Sequence, residues 1–542
     1  MYREEFKTLL AKLKPVIGDL ADALWLSTLL DPSRRKDVEA VALALAAELL
    51  EESYTGKHVL LEPPPARIAR GEYPLGTVMY AGKAMEPFGL RESDLPQHLL
   101  IAGRSGAGKT NIGYLLVRTF LQAGKPFIVL DWRKNYRPLC GLPGGENIQC
   151  FPLGQDESLA FNPLQPPPDL SPAQQEAYLR DVISVICTTY LPGHQLLTTH
   201  GVEYLFLQSL DALTTTTGKP PTFNDIRGYL EKYKARSREH DWKVSARNVL
   251  YRLTTGNIGR LCNTPSSVTP ADILTTPVIL EMDSLGNEND RNMFVRTFLL
   301  WLYYHRLTEP KSPSSKHVLV IEEAHHLFLR RQHDSQSLFN SMVRQFRDLG
   351  QGLVLMDQNP SLLSVPALGN TGTSIILNLK HSDDLAAAGK ALSLPPDDWD
   401  TITRLPVGSA IVKVQNRWPK PFLVQFPYFP LPGPEKPSIA ESRHLNTDSV
   451  QQRVQEARSV VNEAIRAVRA GDRRDKKTNR ISDQERRFLQ DIADHPLSTM
   501  TERYDRLNWS PYTGTKIKRK LLEKGIIQQE NIRIPQGSVT LL

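Results

Sequence analysis

The sequence predicts an α/β protein whose sheet is mostly parallel and buried on both faces. Uninterrupted apolar runs recur along the chain with helical stretches between them, which is typical of parallel strands covered by helices. A glycine-rich loop directly follows one of these runs, and strand signals disappear between residues 156 and 270. The runs are 98–102, 127–130, 278–280, 318–321, 353–355 and 375–377.

The length of 542 residues favours about two to four domains, because single cores stop growing well below that size. Apolar residues at helical spacing from 38 to 49 predict a mainly helical N-terminal region, and prolines 63–65 indicate a stiff linker. The predicted order is a mainly helical region at 1–75, the first part of the core at 76–155, a helical insertion at 156–270, the second part of the core at 271–430, a linker with a charged helix at 431–480 and a winged helix-turn-helix at 481–542.

The composition, with 40% hydrophobic and 23% charged residues, is typical of soluble globular proteins. The longest apolar stretches, 38–50 and 298–304, are too short to cross a bilayer, and the N-terminus has no signal-peptide pattern. We therefore expect a cytoplasmic protein that does not contact the membrane. The four cysteines are widely spaced and form no CxxC pair, so we expect reduced thiols rather than a metal site.

The C-terminal fifth of the chain is basic. Residues 441–542 carry 20 Lys and Arg against 14 Asp and Glu, a net charge of +6. The final 60 residues predict three helices followed by a short β-hairpin, the pattern of a winged helix. The third helix carries Lys516, Lys518, Arg519 and Lys520, which suits contact with DNA. A protein-docking module is the alternative, since winged helices also bind proteins.

The glycine-rich loop is Gly103–Thr110, which fills every fixed position of the phosphate-binding pattern G-x-x-x-x-G-K-[ST]. An apolar strand precedes it and a helical stretch follows it, as the pattern requires. Its backbone N–H groups are expected to surround phosphates, Lys109 to reach the β- and γ-phosphates, and Thr110 to bind Mg²⁺. The expected nucleotide-binding residues are Gly103, Ser105, Gly106, Ala107, Gly108, Lys109, Thr110 and Asn111.

A second acidic motif follows the apolar run 318–321. Hydrolysis requires a carboxylate at a neighbouring strand end to hold Mg²⁺ and another beside it to activate water. Glu322 is expected to order the Mg²⁺ shell and Glu323 to act as the general base. A solvated pair of glutamates is the alternative, but two carboxylates at the end of a buried strand are costly without a cation.

The segment Ile321-Glu-Glu-Ala-His325 resembles the Walker B motif of the HerA/FtsK superfamily of hexameric DNA-pumping ATPases. Segments 98–103, 129–136, 352–361 and 370–375 resemble further motifs of that superfamily in the same order. The resemblance covers roughly residues 75–430 and implies a RecA-like P-loop NTPase core with ATP and Mg²⁺ as cofactors. The long insertion and the lack of a membrane anchor favour the HerA branch over FtsK or conjugative coupling proteins.

The resemblance also implies roles for single residues. Gln358 is expected to sense the γ-phosphate, and Asp131, at the end of the second strand, to belong to the nucleotide site. An arginine from a neighbouring subunit is expected to stabilise charge in the transition state. Arg344 and Arg347 are the first candidates for it, and Arg260 is the third.

Three features depart from the family pattern. Glu322 stands where Asp is commonest, and Asp357 stands where a hydroxyl residue is usual. Many HerA proteins begin with a small β-barrel that contacts a nuclease, whereas residues 1–60 are predicted to be helical here. The identity of an effector partner therefore does not carry over from the family.

These observations predict a homohexameric, Mg²⁺- and ATP-dependent DNA translocase or helicase. It is expected to work with a nuclease or another effector in DNA-end processing or antiphage defence. Lys134 and the pair Arg330–Arg331 are candidates for loops that move DNA through the ring. One alternative is a ring that binds ATP and assembles an effector, such as a nuclease or an NAD-consuming enzyme, without pumping DNA. A winged-helix transcription regulator is a third hypothesis.

Overall fold

The computed structural model divides the chain into two compact units, Met1–Pro432 and Gly433–Leu542. The predicted linker and charged helix at 431–480 lie, apart from residue 431, outside the described residues. Residues that the structure describes are 3–31, 34–54, 59–155, 158–193, 196–312, 314–330, 338–431, 482–494, 500–523, 530–534 and 537–541.

An eleven-stranded sheet forms the centre of the first unit. Its strands are β1 (Tyr73–Tyr80), β2 (Lys83–Leu90), β3 (Leu99–Ala102), β4 (Phe127–Asp131), β5 (Gln149–Pro152), β6 (Val278–Glu281), β7 (His317–Glu322), β8 (Gln351–Asp357), β9 (Thr373–Ile376), β10 (Ser409–Val414) and β11 (Trp418–Gln425). They lie in the order β2-β1-β11-β10-β9-β3-β8-β7-β4-β6-β5. The seven neighbours from β9 to β5 pair in parallel, which confirms the predicted parallel sheet.

The apolar runs are uninterrupted because each parallel strand is covered on both faces. In β4, Ile128 and Leu130 belong to the core on one face of the sheet. Phe127 and Val129, which alternate with them, belong to the core on the other face. All four side chains are fully buried.

Four antiparallel strands extend the sheet beyond β9. Strand β10 pairs with β9 and β11, and β1 pairs with β11 and β2. The sequence did not predict the β1–β2 hairpin, because Pro74, Gly76 and Pro87 interrupt its apolar pattern. The hairpin directly precedes the strand that leads to the phosphate-binding loop.

Helices precede the first strand and fill connections between the later ones. They are α1 (Arg3–Ile17), α2 (Leu20–Leu30), α3 (Arg35–Tyr54), α4 (Ala66–Ala69), α5 (Lys109–Gln122), α6 (Pro172–Tyr190), α7 (Leu196–Thr217), α8 (Phe223–Lys232), α9 (Glu239–Leu253), α10 (Gly256–Cys262), α11 (Pro270–Leu274), α12 (Glu288–Thr308), α13 (Leu338–Asp348), α14 (Val365–Gly369), α15 (Ser382–Leu392) and α16 (Asp400–Thr403). The six helices α6–α11 follow one another between β5 and β6, so the segment without strand signals is helical.

The N-terminal helices α1–α3 share a small core that includes Phe6, Leu13, Ala42 and Leu50. Their helical character agrees with the apolar spacing of the sequence. The four cysteines of the chain are free. Within the part of the chain that the structure describes, no helix combines the length and apolarity needed to cross a bilayer.

The second unit contains three helices, α17 (Asp483–Asp494), α18 (Met500–Arg506) and α19 (Pro511–Glu523), and then the hairpin of β12 (Glu530–Ile534) and β13 (Gly537–Leu541). Phe488, Tyr504, Ile517 and Leu521 lie in its small core. This order of elements agrees with the predicted one. The assignment as a winged helix and its contact with DNA stay predictions.

Candidate nucleotide-binding site

The phosphate-binding loop connects β3 to α5, which begins at Lys109. Gly106 and Gly108 have φ angles of 77° and 113°, in the left-handed region that glycine adopts without steric cost. The Lys109 Nζ donates to the carbonyl oxygens of Gly103 (2.6 Å) and Arg104 (3.2 Å), so its ammonium lies over the loop. Burial lowers the pKa of Lys109, while the nearby carboxylates of Glu323, Asp357 and Glu322 raise it.

A pocket of about 440 Å³ opens beside this loop. Seventeen residues line it, namely Ser105, Gly106, Gly108, Lys109, Thr110, Asn111, Arg133, Asn135, Glu322, Glu323, Met356, Gln358, Val407, Gly408, Gln425, Phe426 and Tyr428. The pocket therefore brings the loop together with both glutamates and the predicted sensor glutamine. Gly103 and Ala107 do not line it: Ala107 is buried in the core, and a Cβ at Gly103 would lie 2.8 Å from the Leu377 side chain.

The sheet topology brings these distant residues together. Strand β8 lies between β3 and β7, and parallel strands present their carboxyl ends at the same edge. In register, Ala102 pairs with Asp357, and Glu322 pairs with Met356. Gln358, the residue after β8, therefore lies between the phosphate-binding loop and the two glutamates.

Glu322 is a buried carboxyl group with 7% of its surface exposed. Burial raises its pKa to about 8, with further contributions from the neighbouring carboxylates of Asp131 and Glu323, while Arg133 and Tyr136 act in the opposite direction. A buried carboxyl group in this state becomes a favourable anion when a cation approaches. Glu322 and the Thr110 hydroxyl line the same pocket, and oxygen ligands of this kind fit Mg²⁺.

Glu323 lies at the centre of a polar network. Its backbone adopts the left-handed region with φ 49° and ψ 51°, which is uncommon for a residue with a side chain. One carboxylate oxygen, Oε1, accepts hydrogen bonds from Gln358 Nε2 (2.7 Å) and from Arg133 (3.0 Å). The predicted base and the predicted sensor are thus in direct contact.

Arg133 is a pocket residue that the sequence analysis missed. It lies two residues after Asp131, in the same loop as Lys134, which was a candidate for DNA contact. Its side chain is 62% exposed and forms an ion pair with Glu323. The signal available in the sequence was a cation just beyond the end of the second parallel strand, at the edge where the phosphate-binding loop lies.

Asp131 is fully buried, and it holds the backbone of this loop through hydrogen bonds. Its carboxylate accepts hydrogen bonds from the backbone N–H groups of Arg133 (3.1 Å), Asn135 (3.1 Å) and Tyr136 (2.9 Å). These bonds fix the position of Arg133 relative to the sheet. A direct contact between Asp131 and a nucleotide stays a prediction, since Asp131 is not among the residues that line the pocket.

Asp357, one of the departures from the family pattern, pairs with His325. Its Oδ2 accepts from the backbone N–H of His325 at 2.7 Å and lies 2.9 Å from the imidazole Nδ1. This hydrogen bond is the main cause of a raised pKa at His325, which burial opposes. The pair lies next to the base, because His325 Nδ1 is 3.9 Å from Glu323 Oε2.

The candidate arginines do not line this pocket. Arg344 and Arg347 are exposed on α13, and Arg260 is exposed on α10. None of the three is among the described residues that line the pocket, so a role for them at a neighbouring subunit's site stays a prediction. Lys134 and Arg330 are also exposed, and Arg331 lies outside the described residues.

Part of the chain, including the phosphate-binding loop, is similar to a known protein family. Residues 73–256 match the model described as the central domain of the helicase HerA. The protein TraC of Escherichia coli (strain K12) is 24% identical over 345 residues, which are 60% of this chain and 37% of TraC. The chain thus spans little more than a third of the length of this relative.

A solved structure shares the fold. VirB4 of Thermoanaerobacter pseudethanolicus superposes with a TM-score of 0.53 at 15% identity, covering 69% of this chain and 99% of VirB4. The bacterial conjugative coupling protein TrwB gives a TM-score of 0.49 at 15% identity, covering 68% of this chain and 92% of TrwB. The predicted resemblance is confirmed to this extent: residues 73–256 match the model of the HerA central domain, and the fold is that of a solved VirB4 structure.

Proposed function

We propose that the protein is a Mg²⁺-dependent ATPase that uses hydrolysis to move along or unwind DNA. The observation that carries this proposal is the contact of Glu323 with Gln358 in a pocket that also contains Lys109 and Glu322. A phosphate-binding lysine, a carboxylate for the metal, a carboxylate for water and an amide that contacts it are the parts that phosphoryl transfer to water requires. A pocket that only bound nucleotide would not need the second carboxylate.

Each residue has a separate task in the proposed reaction. The backbone N–H groups of the loop and the Lys109 ammonium hold the β- and γ-phosphates, and Thr110 and Glu322 hold Mg²⁺. A metal ion held there would supply the positive charge that offsets the phosphate oxygens. Glu323 takes a proton from water as the water oxygen bonds to the γ-phosphorus and the bond to the β-phosphate oxygen breaks.

Gln358 and Arg133 connect this chemistry to the rest of the molecule. Both donate to the same Glu323 oxygen, so a γ-phosphate that attracts either donor changes the hydrogen bonds of the base. Gln358 follows β8 directly and transmits that change to the sheet. This arrangement supports the sensor role proposed for Gln358.

We further propose a homohexameric ring that acts on DNA. In it, Arg344, Arg347 or Arg260 of one subunit completes the site of the next. The matching family is described as a helicase, which supports DNA as the partner, as do the basic residues of α19. A nuclease or NAD-consuming effector, a role in DNA-end processing or antiphage defence, and a cytoplasmic location belong to the same proposal.

The test is ATP turnover by the full chain with and without duplex DNA. The wild type should hydrolyse ATP faster when DNA is added, and Lys109→Ala should abolish that activity, whereas the control Lys219→Ala, at an exposed lysine outside the pocket, should not. Undiminished turnover in Lys109→Ala would refute the site assignment. Turnover that is indifferent to DNA would contradict the motor and support the alternative of a scaffold that assembles an effector.

A further inference from the structure

One wall of the nucleotide pocket carries exposed apolar side chains that the phosphate chemistry does not use. Tyr428 and Val407 line the pocket and are 83% and 64% exposed. The neighbouring Phe426 and Phe429 are buried, with 2% and 7% exposed. The chain thus buries two aromatic side chains within four positions and leaves the aromatic side chain between them exposed beside the loop.

The backbone at Tyr428 is fixed to the helix that begins at Lys109. The Asn111 side chain donates from Nδ2 to the carbonyl oxygen of Pro427 (2.9 Å) and accepts at Oδ1 from the N–H of Phe429 (2.7 Å). These two bonds bracket Tyr428. The Phe429 ring adds a contact with Tyr114, with centroids 6.4 Å apart, on the same helix.

A side chain held in this way binds a ligand with little loss of backbone entropy. The phosphate-binding loop fixes one end of the nucleotide, and Tyr428 lies on a segment anchored to the helix that follows this loop. A flat apolar group connected to the phosphates is therefore the ligand chemistry that fits an exposed tyrosine at this position.

We propose that Tyr428 stacks on the base of the bound nucleoside triphosphate and that Val407 adds a second apolar contact. This inference rests on the proposed function, because it assigns a further part of the same site. Stacking of a base on an aromatic side chain depends little on which base is bound, since every base has a π face.

The polar groups around Tyr428 indicate how the site selects among bases. Two amide side chains belong to this part of the pocket, and both already bond to the protein. Asn111 bonds to residues 427 and 429, while Gln425 accepts from the Ser409 hydroxyl and donates to the Phe426 carbonyl oxygen at 3.3 Å. Strong discrimination between bases requires hydrogen bonds to their edges. The site therefore takes both purine triphosphates, ATP and GTP, with similar affinity and takes the smaller pyrimidines less well.

The test separates the base from the phosphates. Dissociation constants of ATP, GTP, CTP and inorganic tripolyphosphate are measured with Mg²⁺ for the full-length wild type, Tyr428→Ala and Tyr428→Phe. Tyr251→Ala is the matched control, since Tyr251 is 65% exposed and lies outside the pocket. Tyr428→Ala should weaken ATP and GTP by about 5- to 100-fold and leave tripolyphosphate unchanged, while Tyr428→Phe and Tyr251→Ala should bind like the wild type.

Three results would overturn the inference alone. They are an unchanged ATP affinity in Tyr428→Ala, an equal loss for tripolyphosphate in that variant, and a large preference for ATP over GTP in the wild type. A wild type that binds neither ATP nor tripolyphosphate would instead refute the proposed nucleotide site. The failure of the inference and the failure of the proposed function thus give different results.

Discussion

Replacing Glu322 with glutamine should stabilise the metal-free protein at alkaline pH. The carboxyl group is buried, and burial together with the charges of Asp131 and Glu323 raises its pKa from 4.5 to about 8. In the unfolded chain the group ionises near 4.5. Glu322 therefore ionises at a lower pH in the unfolded state than in the folded state. As a result, the free energy of unfolding falls as the pH rises from about 4.5 to about 8.

The size of the effect follows from this shift. The pKa of Glu322 changes from 4.5 to about 8 on folding. At about 1.4 kcal/mol for each unit of pKa, the folded state loses on the order of 5 kcal/mol of stability once Glu322 is ionised. At about pH 5 less than about a fifth of this cost is present, whereas at about pH 9 nearly all of it is. Glutamine keeps the shape of the side chain and has no charge to bury.

Urea unfolding of the wild type and Glu322→Gln in the presence of EDTA tests this reasoning at the two pH values. The variant should be nearly as stable as the wild type at about pH 5 and clearly more stable at about pH 9. Mg²⁺ and a non-hydrolysable ATP analogue should reverse the order, because only the wild type offers the anion to the metal. A stability difference that does not change with pH would refute the account of Glu322.

Two further predictions concern residues behind the pocket. Gly113→Ala should destabilise the protein by about 1–3 kcal/mol, because its Cβ would lie 2.1 Å from the Tyr136 hydroxyl oxygen. The midpoint of urea unfolding measures this loss. Adding Tyr136→Phe should restore part of the lost stability. Asp357→Asn should remove the hydrogen bond that raises the pKa of His325. The stabilisation from that raised pKa is complete below the ordinary histidine pKa of 6.5 and disappears as the pH rises through the raised value. The substitution should therefore lower the melting temperature more at about pH 5.5 than at about pH 9. Equal losses of melting temperature at the two pH values would contradict the pairing of Asp357 with His325.

The sequence was sufficient for the parallel sheet and for the motifs at its edge. Strands such as β4 are covered on both faces, so an apolar run identifies them without knowledge of their neighbours. Strand β1 has an irregular mixture of buried and partly buried positions with one exposed position, and it contains a proline and a glycine, so its pattern is weak. Its partner β11 lies more than three hundred residues along the chain, and only the fold pairs them.

The candidate site likewise combines residues that local sequence patterns predict with residues that only the fold brings together. The phosphate-binding loop and Glu322–Glu323 are short local patterns, and their chemistry limits which residues serve. Arg133 contacts Glu323 across 190 positions of sequence, and Tyr428 lies beside the loop through hydrogen bonds to Asn111 more than three hundred positions away. Such contacts depend on the order of the strands and on the path of the last segment, which local patterns do not encode.

Glu323 is proposed to activate water in a pocket that holds ATP through other residues. Glu323→Gln keeps an oxygen that can accept from Gln358 and Arg133 but removes the proton acceptor. ATP binding and single-turnover hydrolysis by this variant should be compared with the wild type and with Glu146→Gln, a control at an exposed position outside the pocket. We predict ATP affinity close to that of the wild type and hydrolysis slower by about 10²- to 10⁴-fold. Hydrolysis at the wild-type rate in Glu323→Gln would contradict the account.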